Sequence, residues 1–205
     1  MRSFDYYEFT GILSPGVIML FGLTMTYARL KFLVTDVSLG GLGLFIVFAY
    51  AAGHLTQAFG NVVEDIWWKA WGGKPSDWVR NEDQTLLAAS QRSALAAQIQ
   101  KQFQTTVDLD KISSSDWYSL TRQIYATVQG KGRSSRIDTF NGSYGLNRGM
   151  AGAFALLAIL TLIHNYTDWK CPAALACLAM LSAYRMHRFG QGYARELFVE
   201  FLRLP

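Results

Sequence analysis

Apolar and polar residues fall along this chain in blocks much longer than a strand or an amphipathic surface helix needs. Phe9–Ala28 runs 20 residues without a charge, and Val37–Val63 runs 27, interrupted only by His54. Gly149–Thr167 gives 19 more and Cys171–Tyr184 gives 14. Roughly 20 apolar residues in a helix cross the hydrocarbon core of a bilayer, so the first three blocks are long enough. The fourth spans only where Lys170 and Arg185 snorkel outward from its ends. The expected fold class is therefore an all-α integral membrane protein with four transmembrane helices in a 2+2 layout. A small cytosolic helical hairpin separates the pairs, and a C-terminal amphipathic helix follows. The corresponding segments are 1–71 (spans one and two with a tryptophan-rich end), 72–134 (the insert), 135–189 (a polar lead-in helix with spans three and four) and 190–205.

Within the blocks, individual residues refine the picture. Pro15 sits near one end of span one and predicts a kink there. Gly40 and Gly43 share a face of span two, Ala49 and Gly53 have small-xxx-small spacing, and Gly145 with Gly149 forms a GxxxG pair, all permitting close helix contact. Trp67, Trp68, Trp71 and Trp78 suit a membrane–water boundary, and Gly72-Gly73 predicts the end of the helix before them. In the insert, Asn81 is a candidate cap for a helix reaching Gln104, with Glu82 and Asp83 in its first turn. Ser114 or Ser115 caps a second helix, whose Trp117, Leu120, Ile124 and Val128 recur at helical spacing until Gly130. A cap at Ser134 or Ser135 opens one continuous helix into span three. After span four, a glycine break precedes a helix with Leu197, Phe198 and Phe201 on one side. That helix has two candidate resting places, the inner leaflet and the insert.

The chemistry-bearing residues lie where the blocks end. At 100° per residue, His54, Gln57, Asn61 and Glu64 fall within about 80° on the cytoplasmic end of span two. Asp138, Asn141, Tyr144 and Arg148 form a second stripe, about 120° wide, on the helix entering span three. Arg185 and Arg188, with His187 between them, stand at the end of span four. Polar side chains at this depth turn toward one another and away from lipid. Three readings follow: a hydrogen-bonded network that fixes the helix ends, with Glu64 or Asp138 pairing Arg148 or Arg185; a catalytic or ligand pocket, with His54 and Glu64 as acid and base and the arginines on a phosphate; or the lining of a conduction path. The HExxH, GxSxG and Walker A patterns are absent. No catalytic residue is assigned, and a non-enzymatic role is favoured. Cys171 and Cys177, six residues apart on one span, read as packing residues. No zinc-ligand spacing occurs, so neither metal nor cofactor is expected.

Charge adds orientation. The net charge is +4, and it is unevenly placed. Near the span ends, Arg29, Lys31 and Lys170 lie in the loops of one side, whereas eleven other lysines and arginines, from Arg2 to Arg203, lie on the other. The positive-inside rule then predicts a multi-pass protein of a bacterial inner membrane with both termini cytoplasmic. Anionic lipid accounts for the excess charge better than nucleic acid, for which no binding motif is present. The first block follows FDYYEF and lacks a cleavage site, so it reads as a span and not as a signal peptide.

Two spans, a small cytosolic module and two further spans make the whole chain similar in layout to small bacterial membrane effectors, such as those of anti-phage defence. That resemblance implies a protein that senses a cytosolic signal and alters the membrane. The expected function is an oligomeric inner-membrane effector or channel-like protein coupling such a signal to permeability. Its expected partners are membrane lipids, further copies of itself, and a cytosolic protein or small-molecule signal. The alternatives are a membrane-embedded enzyme acting on a lipid head group or phosphorylated amphiphile, and a structural subunit of a larger complex.

Overall fold

The computed structural model describes residues 8–35, 38–80 and 86–205, and among these every regular element is helical. Six helices carry the fold: α1 (Ser14–Thr26), α2 (Leu39–Ala70), α3 (Ala89–Phe103), α4 (Ser114–Gly130), α5 (Ser135–His164) and α6 (Lys170–Leu202). A π-helical turn, Glu8–Leu13, precedes α1, and a short helix, Pro75–Trp78, follows α2. The helical stretch from Leu39 and the helix Ser135–His164 are long and apolar enough to cross a membrane; Thr10–Thr26 is apolar but shorter. The expected cap at Asn81, with Glu82 and Asp83, lies outside the described residues. The chain forms two compact units, one comprising residues up to Trp67 with Gly142–His187, the other Trp68–Asn141 with Arg188–Pro205.

In the first unit the helices approach closely because small residues meet. A Cβ added to Gly16 or Gly53 would land on backbone carbonyl oxygens, those of Ala49 and Ile12. One on Gly152 would come within 2.5 Å of the Thr56 carbonyl oxygen. The core between the helices is correspondingly slight: Met19, Leu20, Ala49, Ala52, Ala153 and Leu157. Packing of backbone on backbone, with little apolar side-chain volume between, is how helices associate where lipid removes the hydrophobic drive between them. The large apolar side chains point outward instead. Among the described residues every exposed large hydrophobic except Trp71 and Tyr118 belongs to this unit.

The second unit is organised in the opposite way. Trp117, Leu120, Ile124 and Val128, the predicted stripe of α4, are all buried, and Leu95, Ile99, Leu197, Phe198 and Phe201 join them in one core. Trp117 stacks on Phe198 with ring centroids 5.7 Å apart, and Phe103 stacks on Phe201 at 5.8 Å. Burial of each such ring contributes roughly 1.5–3 kcal/mol. The Trp117 indole N–H donates to the Ser76 carbonyl at 2.9 Å, so its polar end is satisfied. The cap of α4 is Ser113, one residue earlier than expected, whose hydroxyl accepts from the Asp116 N–H at 3.1 Å.

One expectation fails at the C-terminus. There is no glycine break, because α6 continues unbroken from Lys170 to Leu202. A helical glycine is worth about 1 kcal/mol less than alanine, and here packing outweighs that loss. A Cβ on Gly192 would come within 2.6 Å of the Phe140 ring, so the glycine makes room for an aromatic neighbour. Leu197, Phe198 and Phe201 then rest in the protein core, and no apolar face of this segment remains for a leaflet. Its polar side holds Glu200, which accepts from Arg133 at 2.8 Å and Arg203 at 2.6 Å. Burial alone would raise the Glu200 carboxyl, but these two guanidinium groups outweigh it and hold the carboxyl below its ordinary value.

Two outcomes follow from this packing. Gly152→Ala should destabilise the first unit by about 1–3 kcal/mol through overpacking, measured as a lower melting temperature of the detergent-solubilised chain. For Glu200, the folded carboxyl titrates below the unfolded one, whose ordinary value is 4.5. Its contribution is therefore complete above that pH and is lost as pH falls through the folded value. Glu200→Gln should cost about 1–3 kcal/mol at neutral pH, and acid melts should show wild type and variant converging below pH 4.5.

Candidate functional site

Among the described residues of the first unit, Glu64, Arg148 and Gln57 meet in a polar group. Glu64 is buried, and its carboxylate accepts from the Arg148 guanidinium at 2.9 Å. The Nε–H of Arg148 donates to the Gln57 side-chain carbonyl at 3.1 Å. The Gln57 amide nitrogen donates in turn to the Gly145 carbonyl at 3.0 Å and to the Gly11 carbonyl. Each link has a local cause. Pro15, four residues beyond Gly11, has no N–H to offer that carbonyl, so a side chain from α2 can use it. Gly149 keeps the space open, since a Cβ there would sit 2.6 Å from the Gln57 amide nitrogen. Gly60 admits the Arg148 backbone, whose carbonyl oxygen would be 2.7 Å from an added Cβ.

This arrangement joins the segment before α1 to α2 and α5 through donors and acceptors that are used. A charge pair withdrawn from water needs close geometry and further hydrogen bonds to offset desolvation, and Gln57 supplies them. The group thereby acts as a lock on helix position.

The polar row of α2 is split by the fold. Gln57 and Glu64 face inward, whereas His54 and Asn61 are exposed. The His54 ring packs edge-on against Tyr50, with centroids 4.8 Å apart. The two sets are one helix face apart, and the structure does not bring His54 to Glu64. In the stripe of α5, Arg148 joins the lock and Tyr144 is half-buried. Asp138 belongs to the second unit, where it accepts from the Tyr125 hydroxyl and the Ser134 hydroxyl, both at 2.7 Å. Asn141, Arg185 and Arg188 are exposed. Neighbouring His187 is buried, and its Nδ1 accepts from the Trp67 indole N–H at 3.2 Å. That bond makes Trp67 more than an interfacial anchor.

Residues that the sequence reading passed over lie on α4 and α6. Tyr118, Arg122, Tyr125 and Gln129, together with Tyr193, line a groove in the second unit. The signal for the first four was their i, i+4, i+7, i+11 spacing; nothing local ties Tyr193 to them. Among the described residues no group of three or more His, Cys, Asp or Glu side chains could hold a metal ion, and both cysteines are free and exposed.

The lock predicts a specific coupling. Arg148→Met or Glu64→Leu alone should destabilise the solubilised chain by about 3 kcal/mol, by stranding the opposite charge. The double variant should be more stable than either single one, as thermal melts of all four proteins would record. Comparison of the chain with protein-family models, with curated proteins and with solved structures gives no match.

Proposed function

We propose that this chain is an oligomeric, multi-pass inner-membrane protein of the effector or channel type. Its first unit crosses the bilayer, and its second unit lies on the cytoplasmic side and conveys a signal to the membrane. The observation that carries this reading is the division of α2 into three faces. One is buried and holds Gln57 and Glu64. One is apolar and exposed, with Leu44, Phe48, Leu55, Val62 and Ile66 between 48% and 70% accessible. Between them runs a third, exposed face of Gly43, Val47, Tyr50, His54, Asn61 and Asp65, within about 60° on an ideal helix.

Lipid accounts for the apolar face, since a continuous apolar surface in water costs about 25 cal/mol per Å². The third face fits neither water nor hydrocarbon along its whole length. Asn61 and Asp65 make no side-chain hydrogen bond among the described residues, and such groups are costly against lipid. A second copy supports Asn61: asparagine donates and accepts, so it pairs with its own counterpart across a symmetric contact, at about 0.6 kcal/mol per bond on average in a membrane. Gly43 has nothing within 4 Å of an added Cβ, which leaves room for a neighbouring helix. The four-span layout extends the reading: α1 exposes Phe21 and Met25, and the start of α6 exposes Leu178, Met180 and Leu181. The excess of lysine and arginine favours a cytoplasmic second unit. An enzyme acting on a lipid head group would require His54 and Glu64 to act together, and they occupy different faces of α2.

The test uses a Cys171→Ser/Cys177→Ser background. Oxidative cross-linking of Asn61→Cys in membranes should give dimers and larger species, whereas Val62→Cys should not. In liposomes the purified protein should release a small dye, and Asn61→Leu should reduce the release several-fold. A protein that stays monomeric in membranes and never permeabilises them would sink the proposal.

A further inference from the structure

The groove in the second unit has a defined chemistry. Its volume is about 720 Å³, within the range of small-molecule sites. One wall is the outer face of α4, where Tyr118 and Tyr125 stand two turns apart, roughly 10 Å along the axis. Tyr193 of α6, with Lys74 and Ser76, is also in the lining. Tyr118 is 64% exposed, although the second unit buries nearly all of its other large apolar side chains. The Arg122 guanidinium lies 6.0 Å from the Tyr118 ring centroid, and among the described residues it has no carboxylate partner. The acidic groups nearby are engaged: Asp77 faces Arg80 at 3.8 Å, and Asp138 accepts from Tyr125 and Ser134. Burial raises the Tyr193 phenol above its ordinary value, with Asp138 and Tyr118 adding to the effect, so it remains a neutral hydroxyl donor.

Aromatic faces flanking an uncommitted guanidinium complement a flat heteroaromatic ring that carries an anion. Rings stack on tyrosine, a guanidinium plane stacks or pairs with phosphate oxygens, and Thr121 and Gln129, also in the lining, can read ring edges. We infer that this groove is a binding site for a nucleotide, with the base between Tyr118, Tyr125 and Tyr193 and the phosphate at Arg122 and Lys74. The inference rests on the proposed function only for its consequence, since it names the class of cytosolic signal; binding itself is independent of what the first unit does. A polynucleotide is disfavoured, because the lining holds two cations, Arg122 and Lys74, and no continuous basic track.

Titration calorimetry on the full-length solubilised chain tests it, with AMP, GMP, CMP and UMP as probes and adenosine and inorganic phosphate as controls. At least one nucleotide should bind, with adenosine and phosphate each about tenfold weaker or more. Tyr118→Ala and Arg122→Ala should each weaken that nucleotide about 5- to 150-fold while leaving the melting temperature unchanged, since both side chains are exposed. Absence of binding by all four at millimolar concentration, or binding that both substitutions leave intact, overturns the site. Dye release from liposomes, with and without the nucleotide that binds, separates the two proposals. Binding without any release supports the site and defeats the permeability reading, whereas release with no nucleotide bound does the reverse.

Discussion

Arg148 and Glu64 set the terms for the first unit. Two charges withdrawn from water must meet each other at hydrogen-bonding distance. For that to happen α2 and α5 must lie almost in backbone contact, which explains the glycines at Gly60, Gly149 and Gly152. The Gln57 bonds then draw in the segment before α1, where Pro15 has left a carbonyl open to an outside donor. Small residues, proline and charge pair are parts of one requirement, and none makes full sense alone.

The two units are packed in opposite ways. In the second, large side chains converge on Trp117 and Phe198, and charged groups such as Glu200 and Arg133 pair at the margin, as in a water-soluble helical domain. In the first, small residues lie between helices and large ones point outward. The outward Leu55 and Ile66 resemble core residues turned inside out, and small Ala49, Ala52 and Ala153 stand among the buried residues between the helices.

Much of this was legible where the signal is local and periodic. The stripe Trp117, Leu120, Ile124 and Val128 announces its helix and its buried face, and Gly72-Gly73 announces where α2 stops. The polar row of α2 was harder. His54 and Asn61 are seven residues apart, as are Gln57 and Glu64, so both pairs obey the same helical period. The edge of the buried arc falls between them, and its position is decided by α5, which no local pattern on α2 encodes. Gly192 misled for a similar reason: glycine reads as a break until Phe140, distant in sequence, is seen to occupy the space it leaves. The groove depends on Tyr193 meeting α4, again a matter of tertiary contact.

The separation of the lock's two charges along the chain also bears on how the protein is made. Glu64 and Arg148 are 84 residues apart, and at typical rates of synthesis that interval lasts roughly 4 to 17 seconds. Throughout it α2 exists before the arginine that Glu64 meets in the folded first unit. On the membrane reading, α2 settles to its final place only once α5 arrives. Assembly of the first unit is then ordered in time by a single ion pair, with the second half of the chain completing the first.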